Sequence, residues 1–172
     1  MVKGKWAQGI QPRNFTWVLK DRLAICERPG GYGPSHRRVR RQEEIIWIRE
    51  SEFTRVVSII PASHNLHNYS EMALAWNHLP VADSGDIAPS QRRLYELIHT
   101  ELAAEAKLLV HGEELGDRVG GLVAGYLLWS GLVSDPPEAA VVWEQLVKRR
   151  LGPLGRSFVA DADKLDPPGS AR

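Results

Sequence analysis

Thiols are almost absent from this chain: its 172 residues contain one cysteine, Cys26. A single cysteine excludes an internal disulfide and a cysteine-rich zinc site, fits a cytoplasmic chain, and confines any thiol chemistry to Cys26. An excess of one charge is absent too. The 22 basic residues nearly cancel the 21 acidic ones, leaving +1, so no global field recruits nucleic acid or an acidic membrane. No apolar run approaches the ~18–20 residues of a spanning helix, and residues 1–15 lack a signal-peptide core. Internal repeats and low-complexity stretches are lacking as well. What remains, 43% hydrophobic and 25% charged, has the composition of a packed globular protein rather than a disordered one. The length matches one domain able to bury a core without staples. The expected layout is a flexible lead-in over 1–10, a domain over 11–160, and a disordered tail over 161–172 that carries Pro167-Pro168-Gly169-Ser170.

Between the ends, the punctuation predicts alternating strands and helices. Trp17, Leu19, Leu23 and Ile25 alternate across 15–26 and predict two short strands around a turn at Lys20-Asp21. Residues 29–34, rich in glycine and proline, read as a loop. A helix over 43–51 with Ile45 and Ile48 inward precedes a buried strand over 56–60, then a helix over 65–74 and a strand over 76–81. Ser90 is expected to cap a helix to about residue 106, with Leu94, Leu97, Ile98 and Leu102 inward. A strand over 107–111 follows. Val119, Leu122, Val123, Tyr126 and Leu127 then recur at helical spacing, predicting a helix over 117–131. Gly120, Gly121, Ala124 and Gly125 give this helix a small face. Each glycine costs about 1 kcal/mol against alanine, which close packing against the sheet is expected to offset. A last helix, marked by Ala139, Val142, Trp143, Leu146 and Val147, is expected to stop at Gly152-Pro153. The pattern is that of an α/β domain with a mostly parallel central sheet flanked by helices.

The turn from strand 107–111 into helix 117–131 carries the chemistry. Unpaired amides and the helix dipole favour anions at such a turn, and Arg118 in the first helical turn adds a fork for phosphate. The plain alternative is an ordinary turn with a solvated arginine. His111, Arg118 and Gly120 stand where the signature of one family has histidine, arginine and glycine: His-Cys, five residues, Arg, then Ser or Thr, then often Gly. Residues 14–30, the strand 54–59, and Leu79-Pro80-Val81-Ala82-Asp83-Ser84-Gly85-Asp86 are similar to that family's opening strands, core strand and general-acid loop. In these blocks the chain resembles the dual-specificity and tyrosine-type protein phosphatases. The resemblance implies the cysteine-phosphatase fold, with Asp83 at the general-acid position and Asp86 as the alternate. It also implies a phosphate cradle from Arg118 and the backbone amides of Glu113, Glu114, Leu115, Gly116 and Asp117, with His111 supporting the loop.

The departures bear on activity. Where the family has the thiolate that attacks phosphorus, this chain has Gly112, which has no side chain. Leu115 replaces the mid-loop glycine, and Val119 replaces the hydroxyl that helps the thiolate leave. Glu113 and Glu114 oppose a phosphate dianion unless they point to solvent. Asp117 reads as a favourable acid in a first helical turn. The expected function is therefore a catalytically inactive phosphatase-like domain, a pseudophosphatase, that binds a phosphorylated ligand or partner protein. The alternative is a phosphatase whose nucleophile has been replaced by engineering, or one of altered mechanism with Asp83 or Glu113 activating water.

The other candidates have plain structural readings. Cys26 is expected to be a half-buried strand residue. His64 and His67, with Glu71 a turn on, could share a metal, but no further ligand stands at informative spacing, so no metal or cofactor is expected. The run His36-Arg37-Arg38-Val39-Arg40-Arg41 reads as a solvated face, with contact to a phosphorylated partner, RNA or acidic lipid as the alternative. Gly30-Gly31-Tyr32-Gly33 reads as a mobile turn. Trp17, Trp47, Trp76 and Trp143 are expected in the core.

Overall fold

Five short strands form one sheet in the order β1-β2-β5-β3-β4. They are β1 (Thr16–Leu19), β2 (Leu23–Cys26), β3 (Arg55–Ser58), β4 (Ala75–His78) and β5 (Leu108–His111). Only the β1–β2 pair is antiparallel; β2–β5, β5–β3 and β3–β4 are parallel. The computed structural model describes residues 9–170. Within it the chain packs as two compact units, one of residues up to Pro80 with Ala104–Leu115, the other of Val81–Ala103 with residues from Gly116 onward. Most of the expected lead-in (1–8), and 171–172 of the expected tail, lie outside the described residues.

The first unit holds the sheet with α1 (Arg38–Glu50) and α2 (His67–Glu71). β2 and β5 are buried at every position, as their unbroken apolar runs require of central parallel strands. Ala24, Cys26, Val56 and Leu109 of the sheet pack with Ile45 and Ile48 of α1 and with Leu66, Tyr69 and Leu74 around α2. β5 lies between β2 and β3, and His111 is level with Cys26 and Ser58. The carboxyl ends of three parallel strands therefore meet at one edge, where ligands bind in open α/β sheets. Helix α1 begins five residues earlier than expected, so Arg38 to Arg41 form its first turn. Arg41 is only 9% exposed, so the basic run is not wholly a solvated face. The apolar spacing marked only the buried part of the helix. The chain is already tied down before Phe15, since the Ile10 amide donates to the Glu43 carbonyl at 3.0 Å.

The second unit consists of α3 (Ala88–Ala103), α4 (Asp117–Trp129), α5 (Pro136–Val147) and α6 (Pro153–Asp163). α4 is buried at every position from Val119 to Trp129. Its small face meets helices, not the sheet expected from sequence. A Cβ on Gly120 would lie 2.6 Å from the Trp143 ring, one on Gly121 2.4 Å from the Gly155 backbone, and one on Gly125 2.3 Å from the Tyr95 hydroxyl. These glycines let α5, α6 and α3 approach closer than a methyl group allows. Two helix boundaries also differ from expectation. α3 starts at Ala88, so Ser90 lies inside its first turn, its hydroxyl donating to the Ile87 carbonyl at 3.0 Å. α5 ends at Val147 with Lys148 left-handed, short of Gly152-Pro153, and Pro153 instead opens α6, as a first-turn proline readily does. α6 carries order through Asp163, and the Trp129 indole donates to the Asp166 carbonyl at 2.7 Å. Residues 161–166 are thus not the disordered tail that the proline-rich end suggested.

The Gly121–Gly155 approach gives a direct test. Gly121→Ala is expected to lower stability by about 2 kcal/mol or more, because backbone rather than a pliable side chain must move. The change is read as a fall in the urea midpoint.

Candidate functional site

The candidate loop starts where β5 ends. His111 is fully buried. Its Nδ1–H donates to the Gly112 carbonyl at 3.0 Å, which leaves Nε2 to accept from the Tyr69 hydroxyl, also at 3.0 Å. Burial pulls its pKa down to about 4. The charges of Arg28 and His78 act in the same direction, and the bond to Gly112 opposes them. A neutral imidazole therefore braces the peptide that leads into the loop. Gly112 itself is buried and contributes backbone alone.

The next two residues are acids, and both are engaged. Arg28 Nη1 donates to both carboxylate oxygens of Glu113, at 3.0 and 3.1 Å, while Nη2 donates to the His64 carbonyl at 2.7 Å. The Arg28 amide also donates to the Glu113 carbonyl at 3.2 Å. Glu114 accepts from the Tyr32 hydroxyl at 3.2 Å. Glu113 is partly buried and Glu114 exposed, and together they hold the segment 28–32 to the loop. Leu115 is buried.

In the second unit, Gly116 is the extended residue before α4, and no side chain caps that helix. Asp117 is the first-turn acid expected of α4, and its carboxylate also turns to α6. Its carboxylate accepts from the Gly152 amide at 2.6 Å and the Gly155 amide at 2.7 Å. Gly152 precedes α6, so Asp117 of α4 caps that helix, and a Cβ at Gly155 would sit 2.5 Å from its oxygen. Arg118 Nη1 donates to the Val81 carbonyl at 2.7 Å, and its Nη2 forms an ion pair with Asp83. The arginine and the aspartate singled out from sequence thus come together. Asp86 stands exposed in the same loop. Val119 is 1% exposed and supplies no hydroxyl.

The remaining candidates are placed elsewhere. Cys26 is wholly buried rather than half-buried, and burial, reinforced by Glu44 and Glu27, pushes its thiol well up. It is no nucleophile at neutral pH. His64 and His67 are exposed, and among the described residues no group of three histidine, cysteine or acidic side chains is placed to hold a metal. The Arg28–Glu113 clamp and the Asp117 cap were not anticipated. The only signal for the cap was an α6 start, Gly152-Pro153, without a capping side chain of its own.

Sheet order, strand directions and the loop after β5 define the fold of the dual-specificity and tyrosine phosphatases. No family model and no curated protein matches the chain. Solved structures do. The chain superposes on kinase associated phosphatase with its catalytic-site cysteine substituted by serine, at TM-score 0.70 and 19% identity, over 87% of this chain and 93% of that one. It superposes on the human tyrosine phosphatase-like serine/threonine/tyrosine-interacting protein at TM-score 0.62 and 16% identity, over 87% and 93%. The core catalytic domain of the PP-IP phosphatase SIW14 from S. cerevisiae, in complex with citrate, matches at TM-score 0.62 and 14% identity, over 88% and 87%. Among the described residues no helix is long and apolar enough to cross a membrane.

Two measurements test this geometry. His111 binds no proton in the folded protein until the pH nears 4, whereas the unfolded residue protonates near 6.5. Its contribution, up to about 3 kcal/mol, is complete above pH 6.5 and is lost as the pH falls towards 4. Urea midpoints of the native chain should fall more steeply across that window than those of His111→Asn. Asp117→Ala leaves two amides at the start of α6 without acceptors. It should cost about 1–3 kcal/mol in the same assay, with no comparable loss for exposed Asp86→Ala.

Proposed function

We propose that the chain is a catalytically inactive phosphatase-fold domain that binds a phosphorylated ligand or the phosphorylated surface of a partner protein. One observation carries the reading: the residue between the braced His111 and the loop is Gly112, so the position that a phosphatase of this fold gives to its nucleophile has no side chain. Cys26 is no substitute, being buried and protonated. Val119 removes the second-step hydroxyl, and Asp83, the general-acid position, is tied to Arg118. Binding groups remain. Arg118 is partly exposed, and the first amides of α4 have no partners within their own helix. An incoming phosphate competes with Asp83 for the guanidinium. That carboxylate is 57% exposed, and pairs so open to solvent are weak, about 1 kcal/mol or less. The citrate held by one neighbour of this fold accords with an anion site. A cytoplasmic setting belongs to the same reading.

Turnover of p-nitrophenyl phosphate decides between binder and enzyme. The native chain should hydrolyse it no faster than Arg118→Ala; saturable turnover abolished by that substitution would overturn the proposal. Gly112→Cys alone should stay inactive because Leu115 and Val119 remain. Robust activity from that single change would mark a phosphatase lacking only its nucleophile.

A further inference from the structure

The first unit contains a cluster of positive charge that the loop after β5 does not explain. Five arginines lie between residues 28 and 41. Arg28 is held by Glu113, and Arg40 by Glu44 and Glu27. The Arg37 guanidinium donates to the carbonyls of Pro34 and His36. Arg41 is the anomaly. It is more than nine-tenths buried, its Nη1 donates at 2.7 Å to Nε2 of His36, and its Nε has no hydrogen-bond partner. An imidazole accepting that bond is neutral, and burial together with Arg41, Arg28, Arg37 and Arg40 depresses its proton affinity. Among the described residues no carboxylate forms an ion pair with Arg41. Glu71 acts on it only from a distance, and its own side chain is 63% exposed.

Three physical terms oppose this placement. Burial penalises an unpaired cation. The first turn of α1 has no acid and carries Arg38, Arg40 and Arg41 at the positive end of the helix dipole. Arg28 and Arg38 add like-charge repulsion. A side chain kept only for packing would be better served by an apolar residue of the same length. Arg41 also lines a small opening shared with Arg28, His64, Asn65 and Tyr69, of about 10 Å³, room for a single water-sized atom. An oxygen of a larger anion fits there while the rest of the anion stays outside.

We propose that this opening is an oxyanion site that takes one oxygen of a phosphoryl group against Arg41 and Arg28, formed by residues of the first unit and independent of Arg118. The Nε–H of Arg41, which has no hydrogen-bond partner, is a directional charge-assisted donor that suits an oxyanion oxygen better than a halide. Arg28 serves two acceptors at once, so an arriving phosphate shares it with Glu113 rather than finding it vacant.

The test uses the full chain, labelled with ¹⁵N, and inorganic phosphate as the probe, with ionic strength held constant by chloride. The Arg41 Nε–Hε resonance should shift saturably with phosphate, both in the native protein and in Arg118→Ala. Absence of the shift overturns the proposal, and so does its loss in Arg118→Ala, which would assign all binding to the loop. Failure of the inactive-phosphatase reading is detected separately, by turnover. In the Arg118→Ala background, Arg41→Met should weaken phosphate binding by about tenfold or more in calorimetry. It should also melt at least as high as its parent in phosphate-free buffer, because it removes an unpaired buried charge. Unchanged phosphate affinity would show that Arg41 contributes only its stem, and the proposal fails. O-phosphoserine beside free phosphate separates the sources: binding at least as tight as free phosphate is expected for a phosphorylated side chain, and both probes failing overturns the site.

Discussion

Close packing of neighbouring helices and their side chains against α4, permitted only by glycine, is the constraint on which the second unit rests. α4 is surrounded: Trp143 lies over Gly120, the Gly155 backbone over Gly121, and Tyr95 over Gly125. That crowding seats α6 where the carboxylate of Asp117 reaches its first amides. It thereby fixes the residue just before Arg118. α4 can tolerate poor helix formers because packing rather than propensity holds it.

A different principle organises the first unit. Its central strands are buried throughout, and several polar groups around their carboxyl edge are paired with one another. His111 lies between Tyr69 and Gly112, Glu113 on Arg28, and Glu44 on the Gly30 amide and Arg40. The acids of the loop after β5 are drawn into this network as acceptors for segment 28–32. In a phosphate cradle they looked out of place; as braces between two loops they have an ordinary role.

Much of this was legible in the sequence, because strands with unbroken apolar runs and a helix with a sustained 3.6-residue period announce themselves. β2, β3, β5 and α4 fall close to where their patterns put them, and the fold is the one that the resemblance implied. That Arg118 and Asp83, 35 positions apart, belong to one site was implied only by the resemblance, and their pairing was not anticipated. What stayed hidden depends on partners distant in sequence. Pro153 reads equally well as an end or a beginning, and α6 declares itself only through Phe158, Val159 and Ala162. Asp117 reads only as a first-turn acid of its own helix because the Gly152 and Gly155 amides that it caps are 35 and 38 positions away. The small face of α4 could have met a sheet or helices, and periodicity does not distinguish them. The buried state of Arg41 was invisible, because a run of arginines suggests solvent whichever of them turns inward.

The burial of Cys26 has a consequence beyond catalysis. Enzymes that work through an exposed thiolate are silenced when peroxide oxidises it, so their output follows the redox state around them. The one sulfhydryl of this chain is sealed between strands and held protonated, beyond the reach of such oxidants. On the proposed function, binding through arginines and amides would need no thiolate that peroxide could oxidise, so it would persist where thiolate enzymes fall silent.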